Sequence, residues 1–166
     1  MKSPLLQAVH ELEPFYDSRS EILILGSFPS PKSRETGFYY GHPQNRFWKI
    51  LAGVFTEEIP NSIEEKKNFL KRHRIALWDV IASCEIAGAS DQSIRNPVAN
   101  PLGLILDHAP IKKILTTGSA AFRLYEKLCR PLTGIGATAL PSPSPANCAM
   151  SLPLLTERYR SVIIGQ

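Results

Sequence analysis

Short apolar runs alternate along this chain with longer stretches of helical spacing. The clearest element is residues 21–26, Glu-Ile-Leu-Ile-Leu-Gly, a continuous apolar run closed by glycine. A run of that length without a polar face predicts a strand buried on both sides, as in a parallel sheet. Residues 75–81 and 113–117 repeat the pattern, and 135–140 form a weaker fourth strand. Apolar residues return at helical spacing over 45–55, and Ser62-Ile63-Glu64-Glu65 resembles a capping box that opens a helix to about residue 72. Further helices are predicted over 102–108, 119–128 and 151–159. Before the first strand, Leu5, Leu6, Val9 and Leu12 are spaced for a leading helix over 3–15, starting near Pro4. Strands separated by helices predict an α/β fold: a three-layer α/β/α sandwich around a central, mainly parallel four-stranded sheet. With no repeat or linker, residues 1–166 read as one domain.

Three segments lack either period: 26–45, 83–100 and 141–147. They follow predicted strands, and in open α/β sheets ligands bind beyond the carboxyl ends of the strands. Long loops of this kind are uncommon unless they carry function.

Composition narrows the function classes. Apolar residues make up 43% and charged residues 20%, which argues against disorder. Cys84, Cys129 and Cys148 are odd in number and far apart, so a disulfide framework, a CxxC zinc site and a four-cysteine cluster are poorly supported, and free thiols are expected. No apolar run approaches the roughly 20 residues of a bilayer span, and the N-terminus lacks a signal-peptide pattern. The expectation is a cytoplasmic, monomeric protein with no membrane partner. A net charge of +4 permits an anionic partner without specifying one. The basic run Lys66, Lys67, Lys71, Arg72 and Arg74 is interspersed with glutamates and reads as a solvated face. GxSxG, GxGxxG and P-loop patterns are absent, no metal-ligand spacing stands out, and no cofactor is expected.

The loops themselves are chemically specific. The first runs Gly26-Ser27-Phe28-Pro29-Ser30-Pro31-Lys32-Ser33, then Tyr39-Tyr40-Gly41-His42-Pro43-Gln44-Asn45-Arg46. Gly26 permits close approach of the backbone to a ligand, the prolines stiffen the path, and tyrosines with neutral amides suit a planar polar group such as a nucleobase. Phe47 and Trp48 open an apolar helical stripe and read as core. Asn45 is equally a helix N-cap, His42 a turn-satisfied histidine, and Asp91 either a pocket residue or an Asx turn. His10, His73 and His108 read as surface residues. The last loop, Pro141-Ser142-Pro143-Ser144-Pro145-Ala146-Asn147, reads either as a stiff protrusion that wedges into a duplex or as a surface connector.

Gly26-Ser27-Phe28-Pro29-Ser30 together with Tyr39-Tyr40-Gly41-His42-Pro43-Gln44-Asn45-Arg46-Phe47-Trp48 resembles the uracil-DNA glycosylase superfamily, and within it the hypoxanthine-DNA glycosylase branch. Leu77-Trp78-Asp79-Val80-Ile81 and the Pro-Ser-Pro-Ser-Pro loop extend the likeness over nearly the whole chain. The resemblance implies a base-flipping, monofunctional N-glycosylase acting on damaged DNA, with hypoxanthine in deoxyinosine as its expected target. It implies Asn45 as the catalytic residue. Gly26, Ser27, Phe28, Pro29, Ser30, Tyr40 and His42 would form the base pocket, with Tyr40 stacking on the base. Lys32, Ser33, Ser142, Pro143, Ser144, Pro145, Ala146 and Asn147 would contact DNA. Phe28 and Leu140 stand where uracil-specific relatives carry polar groups, which favours hypoxanthine. A uracil or mismatch-specific uracil glycosylase and a non-catalytic lesion-binding domain are the alternatives.

Overall fold

The computed structural model describes residues 4–88 and 90–165. Its central sheet is built from β2 (Ile22–Gly26), β3 (Ile75–Asp79), β6 (Lys113–Thr117) and β7 (Ala137–Leu140). The order is β3–β2–β6–β7, and each neighbouring pair is parallel. Leu23, Ile24, Leu25, Ala76 and Leu77 are completely buried, which is why these strands show no polar alternation. The helices α2 (Phe47–Phe55), α3 (Ile63–Arg72) and α7 (Leu152–Ile163) complete the core with Phe47, Leu51, Phe69, Leu155 and Tyr159. Between β6 and β7 the chain forms α5 (Ser119–Leu124), widens into a π turn over Tyr125–Cys129, and ends in α6 (Arg130–Thr133). Another short helix, α4 (Gly103–Leu106), precedes β6.

Two sequence expectations are overturned. The predicted leading helix over 3–15 is instead a strand, β1 (Leu6–Val9), while Ser3 lies outside the described residues. Most of 83–100 is sheet rather than loop: β1 pairs antiparallel with β4 (Ile81–Ile86), which pairs antiparallel with β5 (Arg95–Ala99). Leu5, Leu6 and Val9 stay exposed while Ala8 is buried and Leu12 packs against the core, so the apparent helical stripe does not form one buried face. Pro97 is accommodated because β5 is an edge strand. The first loop also contains a short helix, α1 (Pro31–Thr36), capped by the Ser30 hydroxyl, which accepts the Ser33 N–H.

The predicted strand over 75–81 breaks at Val80. Its two halves belong to different sheets, and the transition is held by Asn100. The Asn100 side-chain amide donates to the carbonyls of Asp79 (2.9 Å) and Ile81 (3.1 Å), and its N–H donates to Val80 O (2.8 Å). Asn100 is 8% exposed, so truncation strands two carbonyls away from water. Replacing Asn100 with Ala is expected to cost about 2 kcal/mol and to lower Tm by roughly 4–8 °C, measured by thermal and urea unfolding.

Candidate functional site

All four parallel strands deliver polar atoms to one end of the sheet. β2 ends in Gly26, β3 in Asp79 and β6 in Thr117, and the loop after β7 arches over them. Together with the segment 27–45 they enclose a cavity of about 300 Å³. That is the lower end of the range for small-ligand pockets, roughly 300–1,000 Å³, and suits one planar heterocycle.

The floor depends on the missing side chain of Gly26. A Cβ there would lie 2.5 Å from Asp79 Oδ1, 3.4 Å from Tyr40 Oη and 3.6 Å from Thr117 Oγ1. Glycine therefore lets three polar atoms converge on the end of β2. Tyr40 sits in the left-handed region at φ 53°, and its hydroxyl hydrogen-bonds Thr117 Oγ1 at 3.0 Å. Phe47 covers one face of the Tyr40 ring, parallel to it at 3.8 Å between centroids. Burial holds the Tyr40 phenol well above its ordinary range, and the Asp79 charge adds to that, so the hydroxyl stays protonated as a donor. Tyr39, also lining the cavity, donates its hydroxyl to Glu13 O (2.6 Å), which ties this wall to the segment before β2.

Asn45 precedes Arg46, the N-cap of α2, and closes an Asx turn into the helix rather than capping it, while also reaching the cavity. Its Oδ1 accepts the Phe47 N–H at 2.9 Å, at the start of α2, which leaves its amide NH₂ as the group free to act on a ligand. His42 lies on the exposed rim, its Nδ1 accepting the Gln44 N–H at 3.1 Å. Gly26, Ser27, Phe28, Pro29, Ser30 and Tyr40 also line the cavity. Phe28 is nearly buried, with the Arg34 guanidinium 5.4 Å from its ring centre.

The expected DNA-contacting residues divide. Ser142, Pro143, Ser144 and Pro145 line the cavity mouth. Pro143 is buried, which leaves Pro145 and Ala146 as the exposed tip and corrects the expectation that the whole loop protrudes. Ser142 Oγ accepts the Ser144 N–H and Ser144 Oγ accepts the Ala146 N–H, so both hydroxyl protons remain free to donate. Asn147 turns inward to donate to Ser142 O at 3.0 Å. Ser33 is 2% exposed and accepts the Gly41 N–H at 2.9 Å, so it braces the wall from inside. Lys32 lies outside the cavity lining, 3.6 Å from Glu35.

Of the acidic side of the site, the sequence pattern offered Asp91 as a pocket residue or an Asx turn but gave no role to Asp79. Asp79 is 4% exposed, and its Oδ2 accepts from His10 Nε2 at 2.8 Å. His10, read from the sequence as a surface residue, is buried here because β1 carries it inward and its N–H donates to Ala82 O. Asp91, on the single turn Asp91–Ser93, accepts the Ser27 hydroxyl at 2.6 Å at the open mouth. Partial desolvation beside the wall pushes the carboxyl of Asp91, an exposed residue, above its ordinary range. The Ser27 hydrogen bond and the Arg123 charge oppose that rise, and the Asp79 charge reinforces it. An aspartate closing an otherwise apolar strand, as Asp79 does after Ile75-Ala76-Leu77-Trp78, was the available signal. Among the described residues no cluster of three or more potential metal ligands occurs, and no helix is long and apolar enough to cross a membrane.

A parallel sheet with a base-sized polar and aromatic cavity at its carboxyl end, roofed by a proline-rich loop, defines a protein built to hold one planar group away from bulk water. The chain belongs to the uracil DNA glycosylase superfamily, whose family model matches residues 13–163. It is 34% identical over 135 residues to a hypoxanthine DNA glycosylase of Methanosarcina barkeri, covering 81% of this chain and 85% of that protein. It is 35% identical over 132 residues to the protein of the same name from Methanosarcina acetivorans, covering 79% and 83%. A solution NMR structure of a candidate uracil DNA glycosylase from M. acetivorans superposes with a TM-score of 0.77 at 31% identity, covering 95% of this chain and 99% of that one.

Arg46 joins the two halves of the site. Its guanidinium donates to the carbonyls of Met150 (2.7 Å), Asn147 (2.8 Å) and Ser144 (2.9 Å), and its backbone N–H donates to Pro143 O (3.0 Å). These carbonyls are met from two separate nitrogens of the planar fork, which the single nitrogen of a lysine does not reproduce. Arg46→Lys is expected to lower stability by roughly 2–4 kcal/mol and to accelerate amide exchange at Ser144, Ala146 and Asn147, as read by hydrogen-exchange mass spectrometry.

Proposed function

We propose that this protein is a DNA glycosylase that hydrolyses the N-glycosidic bond of deoxyinosine, releasing hypoxanthine and leaving an abasic site. The observation that carries the reading is the placement of Asn45: its oxygen is spent on the turn that leads into α2, so its amide donor is what the cavity receives. A polar side chain at position 28 would support uracil chemistry, and Phe28 provides none. The two Methanosarcina relatives named hypoxanthine DNA glycosylase support the same substrate.

The chemistry follows from the donors and acceptors present. Extruding a nucleotide from the duplex costs a few kcal/mol, which the preformed cavity and the stiff loop offset without further ordering. Tyr40 receives the flipped base, its ring backed by Phe47. As the bond from C1′ to N9 breaks, its electron pair moves onto the base, and the Asn45 amide donates to that developing negative charge. Water then adds to C1′. Asp91, with one oxygen held by Ser27, orients that water with the other and accepts its proton. The free hydroxyl protons of Ser142 and Ser144 donate to phosphates flanking the lesion, contacts that position without reading sequence. The protein acts in the cytoplasm as a monomer, consistent with the free-thiol reading of its three cysteines.

Labelled duplexes carrying deoxyinosine, deoxyuridine or deoxyxanthosine, treated with alkali after incubation, test the substrate. Scission of the inosine strand is expected. Preferential scission of the uracil strand would transfer the reading to the uracil alternative, and binding without scission of any strand would leave only lesion recognition. Asn45→Asp keeps an acceptor for the Phe47 N–H but removes the amide donor. It should leave stability within about 0.5 kcal/mol while the single-turnover rate falls roughly 100- to 1,000-fold. An unchanged rate would remove Asn45 from the bond-breaking step.

Asp91 makes a separate, pH-dependent prediction. Its folded pKa is raised, so the ionised form that accepts a proton is lost as pH falls through a value above the ordinary aspartate range. The single-turnover rate should therefore fall on the acid side at that elevated pH, and Asp91→Asn should lower the plateau and abolish the limb. A wild-type rate that stays flat down to the ordinary aspartate range would exclude Asp91 as the base.

A further inference from the structure

We infer that the cavity between α4 and α6 is a second ligand site, and that it takes a small apolar organic cation: an aromatic or aliphatic body carrying an ammonium group. This cavity encloses about 420 Å³, more than the cavity at the carboxyl end of the sheet, and shares no lining residue with it. The inference therefore stands apart from the reaction assigned to that first cavity.

The walls are apolar. Leu102 and Cys129 are 3% and 2% exposed and form the deep end, while Pro101 and Leu106 continue the wall. Leu132, 84% exposed, and Ile135 stand at the mouth. Burial pushes the Cys129 thiol up to about 11, so it stays protonated and behaves as a small apolar group. The π turn Tyr125–Cys129 ends in this wall, and such widened turns recur at functional sites.

Apart from that weak thiol donor, the polar side-chain atoms left available are all acceptors. Both Asn100 amide protons go to the carbonyls of Asp79 and Ile81, while its Oδ1 accepts from no described residue. The Tyr125 hydroxyl donates to Ile135 O at 2.6 Å. The Thr133 hydroxyl therefore gives its own proton to Tyr125 Oη (2.9 Å), and it accepts the Ile135 N–H (3.2 Å). No cation pairs with Asp107 among the described residues. Its carboxylate lies along the wall, since a Cβ built on Gly103 would meet Asp107 Oδ2 at 3.4 Å. An apolar enclosure whose free polar atoms accept selects a ligand that donates. An ammonium meets that condition, gains a charge-assisted bond to Asp107, and leaves its apolar body to the leucines. An anion of the same shape meets the Asp107 charge with the wrong sign.

Titrations followed by amide resonances in NMR test the site with three probes of similar size: phenethylamine, phenethyl alcohol and phenylacetate. The wild type should bind the amine at least about fivefold tighter than the alcohol, and phenylacetate more weakly than either. The shifts should centre on the amides of Gly103, Leu106 and Leu132. Asp107→Asn should bring the amine to within about twofold of the alcohol while leaving the alcohol's affinity unchanged. Leu132→Lys, which adds a cation at the mouth, should weaken the amine and strengthen phenylacetate. Asp107 and Leu132 are both exposed, so both variants should keep the wild-type Tm. Absence of saturable shifts around this cavity, shifts centred on Gly26 and Tyr40 instead, equal affinity for the three probes, or a preference that survives Asp107→Asn would each overturn the assignment.

Discussion

The Arg46 guanidinium is the interaction on which the rest of the site depends. A loop reading Pro-Ser-Pro-Ser-Pro has too few N–H donors for its carbonyls, because each proline removes one. Its own turns, Ser144 N–H to Ser142 Oγ, Ala146 N–H to Ser144 Oγ and Asn147 N–H to Ser144 O, do not tie it to the rest of the site. Arg46 supplies donors from outside, meeting Ser144, Asn147 and Met150 with its fork and Pro143 with its backbone. No carboxylate pairs with this cation among the described residues, so carbonyl dipoles alone offset its desolvation. The arrangement also leaves Arg46 Nε buried and unpartnered. That cost is borne by a residue with Asn45 on one side and Phe47 on the other. Moving Arg46 would shift the amide donor, the first turn of α2 and the roof of the cavity together.

The floor is assembled by a different constraint, the parallel register of the sheet. Gly26 lies opposite Asp79 across the β2–β3 pair, and Thr117 ends β6 on the other side. Three strand ends thus place polar atoms at one level, and the absent Cβ of Gly26 leaves room for them to converge. His10 reaches this floor only because β1 pairs with β4, whose first residues continue directly from β3. The small antiparallel sheet accordingly has a functional consequence. It carries the partner of Asp79 inward and brings Asp91, after β4, to the mouth.

Legibility followed burial. Residues 21–26 and 113–117 were readable as strands because an uninterrupted apolar run has few alternatives in a chain of this composition. Asn45, Tyr40 and the Gly26–Ser30 segment are readable as lining one candidate cavity because long loops rich in Gly, Pro, amides and aromatics are uncommon without a function. The leading segment was misread for a tertiary reason: Leu5, Leu6 and Val9 are apolar but exposed, and pairing with β4 overrides their helical spacing. β4 and β5 were hidden because Ser83, Glu85 and Asn96 interrupt any clean alternation, and register shifts break the β4–β5 ladder. The Asp79–His10 pair was invisible since its partners are 69 residues apart and only the fold joins them.

Roof and floor divide the energetic task. Phosphate contacts of the kind proposed for Ser142 and Ser144 would not depend on which base has been extruded, so they would favour damaged and undamaged nucleotides alike. Such uniform binding brings the protein to DNA and holds the duplex open, but it cannot choose a substrate. Choice has to come from atoms that meet the base inside the cavity. Asp79 lies at the cavity floor rather than at the exposed tip of the roof loop, so its carboxylate is set back from the outer surface. This accounts for how a modest net charge of +4 and an acidic cavity floor coexist in one nucleic-acid enzyme.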